Sequence, residues 1–228
     1  LPAGFLNAEP SASQEPLPPP PGRIWDAQPL TEDTGWSLVD GRLLWTTTAG
    51  QQWHAITPTG DPILAAYFLD DRQGWAVAES PTTHALSLYM TGNAGKDWRA
   101  APLPAPDSPA PLQITSIQFI DSQTGWIAFQ RLSSSNFSLG EMLQTRDGGK
   151  TWERFSLPLG EPVRFTSPLR GWIAGGSGGN QLFTTQDGGR TWQPVSLPVA
   201  AQPGQTFIGL PAFDEQGRGL LPVAHSAV

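Results

Sequence analysis

The 228-residue chain contains no cysteine, so it has no disulfide framework, no thiolate metal site and no cysteine nucleophile. No apolar run approaches the roughly 18 residues that a membrane-spanning helix requires, which argues against insertion of the chain into a bilayer. Positive charge is scarce: 13 Lys and Arg stand against 20 Asp and Glu, giving a net charge of -7 and a pI near 4.8. Nucleic acid and anionic membrane surfaces attract clustered Lys and Arg, so neither is expected as a partner. Charged residues amount to only 14%, and no segment shows the helical period that a bundle of Leu, Ala, Glu and Lys would carry. The opening at Leu1, without Met or a charged n-region, fits a trimmed N-terminus or an excerpt from a longer protein.

Glycine (25), proline (24) and tryptophan (10) are plentiful, as in chains of short strands and tight turns. Residues 1–22 carry Pro2, Pro10, Pro16 and Pro18 to Pro21 among Ala, Ser and Glu. Such a stretch favours extended polyproline II and buries too little apolar surface to fold, so it reads as a disordered linker or tail.

Residues 23–228 are a repeat array in which two motifs alternate. The first is Gly35-Trp36, Gly74-Trp75, Gly125-Trp126 and Gly171-Trp172. The second follows each of these: Thr46-Thr-Thr-Ala-Gly-Gln-Gln-Trp53, Thr91-Gly-Asn-Ala-Gly-Lys-Asp-Trp98, Thr145-Arg-Asp-Gly-Gly-Lys-Thr-Trp152 and Thr185-Gln-Asp-Gly-Gly-Arg-Thr-Trp192. Each unit reads as an apolar strand, a polar turn, a strand opening on Gly-Trp, a third strand, the Asp-Gly-Gly turn and a fourth strand. First strands are expected at 62–69, 112–120 and 161–165, and third strands at 43–47, 85–91, 140–145 and 181–185. Four strands in about 40–50 residues is the arithmetic of a propeller blade.

The fold expected is therefore all-β, a β-propeller of four-stranded antiparallel blades. Blades fall near 23–57, 58–101, 111–157 and 160–198, with a partial fifth at 205–228 that has Leu220 where the others have Trp. About four and a half blades fall short of an ordinary closed ring and leave open edges, so a larger or partner-completed ring is expected.

The turn motif has a physical reading. Asp147 and Asp187 can accept hydrogen bonds from turn N–H groups and from the hydroxyls of Thr151 and Thr191, which locks a tight hairpin. Gly149 and Gly189 supply the left-handed backbone such turns demand, and Trp152 and Trp192 re-enter the sheet to bury an aromatic face. In the weaker copies Asn93, Gly95 and Trp98 take the same parts, as do Gly50 and Trp53, whereas Thr48 replaces Asp only poorly. The position before the retained Gly is Ala94 or Ala49, implying one strict and one tolerant left-handed position. Equivalent carboxylates repeated on every blade cannot converge on one substrate, so these residues are assigned as structural turns, with no catalytic, cofactor or metal role.

These residues resemble the Asp-box, or BNR, repeat of sialidases, sortilin-type receptors and the photosystem II stability/assembly factor family. The pairing of a Gly-Trp strand with an Asp-Gly-Gly-Lys/Arg-Thr-Trp turn looks most like the last group. The resemblance spans residues 23–228 and implies a non-enzymatic, extracytoplasmic or lumenal chaperone-like platform without a cofactor. Its expected partners are proteins, including subunits of a membrane complex, with tethering through the Pro-rich segment.

A carbohydrate-active protein on the same fold is the alternative. A sialidase needs convergent arginines, a Tyr nucleophile with a Glu partner and an Arg-Ile-Pro motif. Here Arg23-Ile-Trp departs from that motif, and Tyr67 and Tyr89 fall in or beside strands. Asp70, Asp71 and Asp121 sit on equivalent turns, which a repeated hairpin explains better than a hydrolytic carboxylate pair. His54, His84 and His225 lack metal-ligand spacing, and Gly175-Gly-Ser-Gly-Gly179 lacks the Lys and helix of a phosphate loop, which leaves it a hairpin turn. Partner contact is expected through the variable connections at 102–111 and 133–139.

Overall fold

The structure, a computed structural model, describes residues 6–7, 22–105, 112–131, 139–197, 204–214 and 216–226. Regular structure among the described residues is entirely β-strand. The chain divides into two compact units, Leu1–Ala105 and Pro106–Val228.

In the first unit, β1 (Leu6–Asn7) precedes a blade of β2 (Ile24–Pro29), β3 (Gly35–Val39), β4 (Arg42–Thr46) and β5 (His54–Ala55). A second blade comprises β6 (Ile63–Phe68), β7 (Gly74–Glu79), β8 (Leu86–Thr91) and β9 (Arg99–Pro102). Both are antiparallel meanders in chain order, and β1 extends the second by pairing Leu6 with Ala100 and Asn7 with Arg99. This short piece of the N-terminal stretch departs from the unstructured tail expected there. The outer edge of β9 presents unpaired N–H and C=O groups that an extended segment satisfies. The rest of residues 1–21 lies outside the described residues.

The second unit holds a blade of β10 (Leu112–Phe119), β11 (Gly125–Arg131), β12 (Leu139–Thr145) and β13 (Glu153–Leu157). The next is built from β14 (Val163–Phe165), β15 (Gly171–Gly175), β16 (Gln181–Thr185) and β17 (Gln193–Pro194). Then β18 (Gln205–Ile208) pairs with β21 (Val223–Ser226), and β19 (Ala212–Phe213) with β20 (Gly219–Leu220). The Gly209 N–H donates to the Pro222 carbonyl at 2.9 Å across the gap, so these strands form one interrupted hairpin, the first two strands of a blade. The chain is thus an all-β protein of β-propeller blades, with strands within a residue or two of the positions expected.

One packing rule explains the Gly-Trp motif. The last residue of the first strand pairs with the Gly that opens the second: Phe68 with Gly74, Phe119 with Gly125, Phe165 with Gly171 and Phe213 with Gly219. Each Phe ring lies over its partner, and a Cβ at Gly171 or Gly219 would stand 2.7 or 2.8 Å from the ring. Only glycine leaves room there. The following Trp then packs on the Phe of the next blade: Trp36 on Phe68 with centroids 5.9 Å apart, Trp126 stacked on Phe165 at 4.0 Å, and Trp172 on Phe213 at 4.5 Å. Two of the tryptophans that end turn motifs meet the same rings edge-on, Trp98 on Phe68 at 6.3 Å and Trp192 on Phe165 at 6.2 Å. The layers around Phe68 and Phe165 are therefore aromatic sandwiches, burying large rings in favourable tilted and stacked geometries.

Between β10 and β14 the side chain of Gln118 acts as an extra rung. Its Oε1 accepts the Phe165 N–H and its Nε2 donates to the Phe165 carbonyl, both at 2.8 Å.

Candidate functional site

Two ends of the blades differ in chemistry. One end carries the Thr-x-Asp turns, and here the carboxylates of the turn motifs are already engaged. Asp147 Oδ1 accepts the N–H groups of Lys150 (3.0 Å) and Thr151 (2.9 Å), while Oδ2 accepts the Thr151 hydroxyl at 2.6 Å. Asp187 repeats the pattern with Thr191, at 2.9 and 2.6 Å. Asn93 inverts it: Oδ1 accepts the Asp97 N–H and Nδ2 donates to the Asp97 carboxylate at 2.8 Å. Thr48 Oγ1 accepts the Gln52 N–H at 2.9 Å, so threonine closes the same ring with fewer bonds than the carboxylate makes.

The constant partner is the leading threonine. The hydroxyls of Thr46, Thr91, Thr145 and Thr185 accept the N–H of Gly50, Gly95, Gly149 and Gly189 at 2.8 to 3.0 Å. The residue before each of these glycines donates its N–H to the first hairpin of its own blade, at Asp33, Arg72, Gln123 and Leu169. The expectation of one tolerant and one strict position is refined here, since both are left-handed in every copy. Ala49 and Ala94 have φ of 50° and 61°, while the retained glycines lie at 77° to 94°. Packing adds to strictness, because a Cβ on Gly95 would stand 2.8 Å from the Ile56 side chain.

Bonding to charge tunes these groups. Hydrogen bonds from the Thr191 hydroxyl and N–H hold the Asp187 carboxyl down to about 2, from an ordinary 3.8. At Asp147, burial pushes upward, and the Thr151, Thr145 and Lys150 donors outweigh it to leave the carboxyl lowered. Asp214 is lowered by the Arg218 N–H and guanidinium. All three move away from the raised value that a general acid needs. Trp53 and Trp152 donate their indole N–H back to the Gly50 and Gly149 carbonyls, Trp98 donates to Ile56, and Trp192 is half-buried against Phe165. The assigned residues thus sit at separate turns, each closing its own hairpin.

The opposite end carries the turns between second and third strands and the inter-blade linkers. Here the first strands share a feature that the sequence reading missed. The pairing shifts register between Ile24 and Asp26, Ile63 and Ala65, and Ile114 and Ser116, leaving Trp25, Leu64 and Thr115 as bulged residues at equivalent places. A bulge re-aims side chains that regular alternation would bury. Trp25 is 61% exposed, Ile24 64% and Leu64 39%. The Arg23 guanidinium lies 4.4 Å over the Trp25 ring, an arrangement that fixes both side chains. The signal was present in the spacing: Ile63-x-x-Ala66-x-Phe68 and Ile114-x-x-Ile117-x-Phe119 step by three and then two, where a flat strand steps by twos.

At the same end the first unit has a recess of about 550 Å³ whose lining includes Asp40, Arg42, Thr57, Thr59 and Asp61. Asp40 joins the recess to the bulged strand by accepting the Arg23 N–H at 3.3 Å. The Ile63 N–H donates to the Gly41 carbonyl at 2.9 Å, tying the recess floor to β6. In the second unit, Glu141 is 2% exposed and clamped between arginines. Arg131 donates to Oε2 through Nη2 at 2.7 Å, and Arg154 donates to Oε1. A buried carboxylate with both oxygens engaged by arginines braces β11, β12 and β13.

The histidines do not converge. His84 pairs with Glu79 at 2.7 Å, His225 contacts the Thr206 hydroxyl, and His54 is half-buried on β5. Asp70 and Asp121 accept the N–H groups two and three residues on, at 2.6 to 2.8 Å, and close the first hairpins. Of the connections at 102–111 and 133–139, expected to carry partner contacts, residues 106–111 and 133–138 lie outside the described residues, as does most of the Pro-rich segment.

No family model and no curated protein matches the chain. Among solved structures it is similar to YCF48 bound to D1 peptide, at 17% identity over 97% of this chain and 92% of that one, with a TM-score of 0.35. It is also similar to the GH74 xyloglucanase from Xanthomonas campestris, at 15% identity over 72% of this chain and 28% of that one, with a TM-score of 0.42.

Proposed function

We propose that this chain is a non-enzymatic protein-binding platform of the Asp-box propeller type. It serves assembly of a membrane-associated complex in an extracytoplasmic compartment. The observation that carries this reading is the bulged β2 strand, which holds Ile24 and Trp25 outward at the blade end where Asp40, bonded to the Arg23 N–H, lines a polar recess. An exposed, cation-stacked Trp next to charged groups is the composition of a protein-binding hot spot with a polar rim. Arg42 and Asp61 at the recess have no side-chain partner among the described residues, leaving one donor and one acceptor group for a docking segment. The turn carboxylates support the non-enzymatic part, because hydrogen bonds within each hairpin consume them.

A photo-cross-linking amino acid placed at Trp25 in the producing cell tests the reading. Discrete adducts with protein subunits are expected, and Trp25→Ala should weaken binding of the captured subunit by about tenfold or more with the melting temperature unchanged. Adduct-free Trp25 together with turnover of a glycan or fluorogenic glycoside by the purified chain would overturn it.

A further inference from the structure

The N-terminal stretch does one thing that its composition argues against. Leu6 and Asn7, in a run rich in proline, pair with Ala100 and Arg99 as a fifth antiparallel strand on the outer edge of the second blade. The other fourth strands carry no such addition among the described residues. Two of them, β5 and β17, are only two residues long, and β17 includes Pro194, which lacks an N–H.

The edge of β9 suits an incoming backbone. Ala100 and Ala101 present only methyl groups and are partly buried, so an extended chain meets little bulk there. The strand ends at Pro102, whose missing N–H closes the ladder. Arg99 is exposed, and no hydrogen bond or ion pair engages its guanidinium among the described residues.

The hold of β1 on this edge is weak. Of two neighbouring antiparallel pairs only one exchanges main-chain hydrogen bonds, so the strand gains about two bonds. Against them stands the entropy of ordering its residues, a cost of similar size. What favours the closed form is the tether to β2 through residues 8–23, which raises the local concentration of the strand. A segment that pairs along all of β9 makes more bonds and needs no tether.

We propose that the outer edge of β9 is a strand-accepting site for an extended segment of a partner protein, covered by β1 as a displaceable strap. Strand addition draws affinity from main-chain hydrogen bonds and specificity from the side chains along the edge. Here the discriminating residue is Arg99. Asn7 stands opposite it in the strap, and Asp or Glu takes that place in the preferred segment, because opposite charges across an antiparallel pair attract. A second copy offers only the same Leu6–Asn7 pairing without the tether, so exchange between copies gains nothing over the closed form. The site is separate from Trp25, which lies on the first strand of the other blade in this unit.

The test uses the full chain carrying Leu6→Pro and Asn7→Pro, which removes both strap N–H groups and changes no blade residue. A labelled peptide of residues 1–15 is titrated against this variant and the unmodified chain by fluorescence anisotropy. It should bind the variant at least about tenfold more tightly, since no tethered strand competes. Asn7→Asp in the peptide should tighten binding by about threefold, and Arg99→Ala in the strap variant should abolish that gain. The chain has no cysteine, so Arg99→Cys in the strap variant and Asn7→Cys in the peptide should yield a single disulfide-linked adduct that fixes the register. A peptide carrying both prolines should bind neither chain. Equal binding to the two chains, binding to neither, binding of the proline peptide or failure of the adduct to form overturns the proposal. So does a dimeric unmodified chain that becomes monomeric in the strap variant, since the edge then takes a second copy.

Discussion

A methyl group added at Gly171 would meet the Phe165 ring at 2.7, 2.8 and 3.0 Å, and that ring is held on its other face by Trp126. It cannot swing aside without unstacking the indole and losing the edge contact of Trp192. Gly171→Ala is therefore expected to destabilise the chain by about 1–3 kcal/mol, the usual cost of overpacking a close-packed site. Gly92→Ala is the control: nothing lies within 4 Å of its added Cβ, and the residue is exposed. Its effect should stay within about 0.5 kcal/mol in urea unfolding followed by Trp emission. Equal losses for the two variants would show that backbone freedom, and not the Phe ring, requires glycine at 171.

At the level of the element, the Thr-x-Asp turn is a ring of hydrogen bonds around a lowered carboxylate, and this has a pH consequence. The folded Asp187 carboxyl titrates near 2, below its ordinary 3.8, so the folded state holds the proton less readily than the unfolded chain. Its contribution to stability is complete above about pH 5 and is lost as pH falls through about 2. Asp187→Asn should lower stability at pH 7 and make the acid limb shallower, read as unfolding midpoints between about pH 2 and pH 7. Asn93 already occupies the equivalent position and keeps its turn closed, so the variant should fold. An unchanged acid limb would mean that the carboxylate adds nothing to the turn.

The same turn shows what was readable in the sequence. Asp to Asn to Thr at one position, with Thr and Gly kept on either side, announces a hairpin, and the paired Gly-Trp motif announces the blade around it. The leading Thr, which carries the bond common to all copies, was equally visible but overshadowed by the carboxylate. Trp25 was harder to read. Its exposure depends on a bulge, and a bulge appears in sequence only as a skipped step between apolar residues. The 550 Å³ recess was not legible at all, because it joins a turn at Asp40 to a linker at Asp61 through backbone contacts that no motif encodes.

Across the whole molecule, stability is distributed unevenly. Strands β7 and β11 are buried over nearly their full length, and Trp126, Ile127 and Ala128 have no exposed surface. The interrupted hairpin of β18 to β21 is different: β21 is exposed along its length, and the Trp172–Phe213 contact is one of few that hold the hairpin against a blade. Opening it uncovers little apolar surface, so it should open locally long before the blades unfold. Hydrogen exchange should find amides of β11 protected on the order of a thousandfold more than those of β21. If β21 were protected as strongly as β11, the hairpin would belong to a closed core and would not open ahead of the blades.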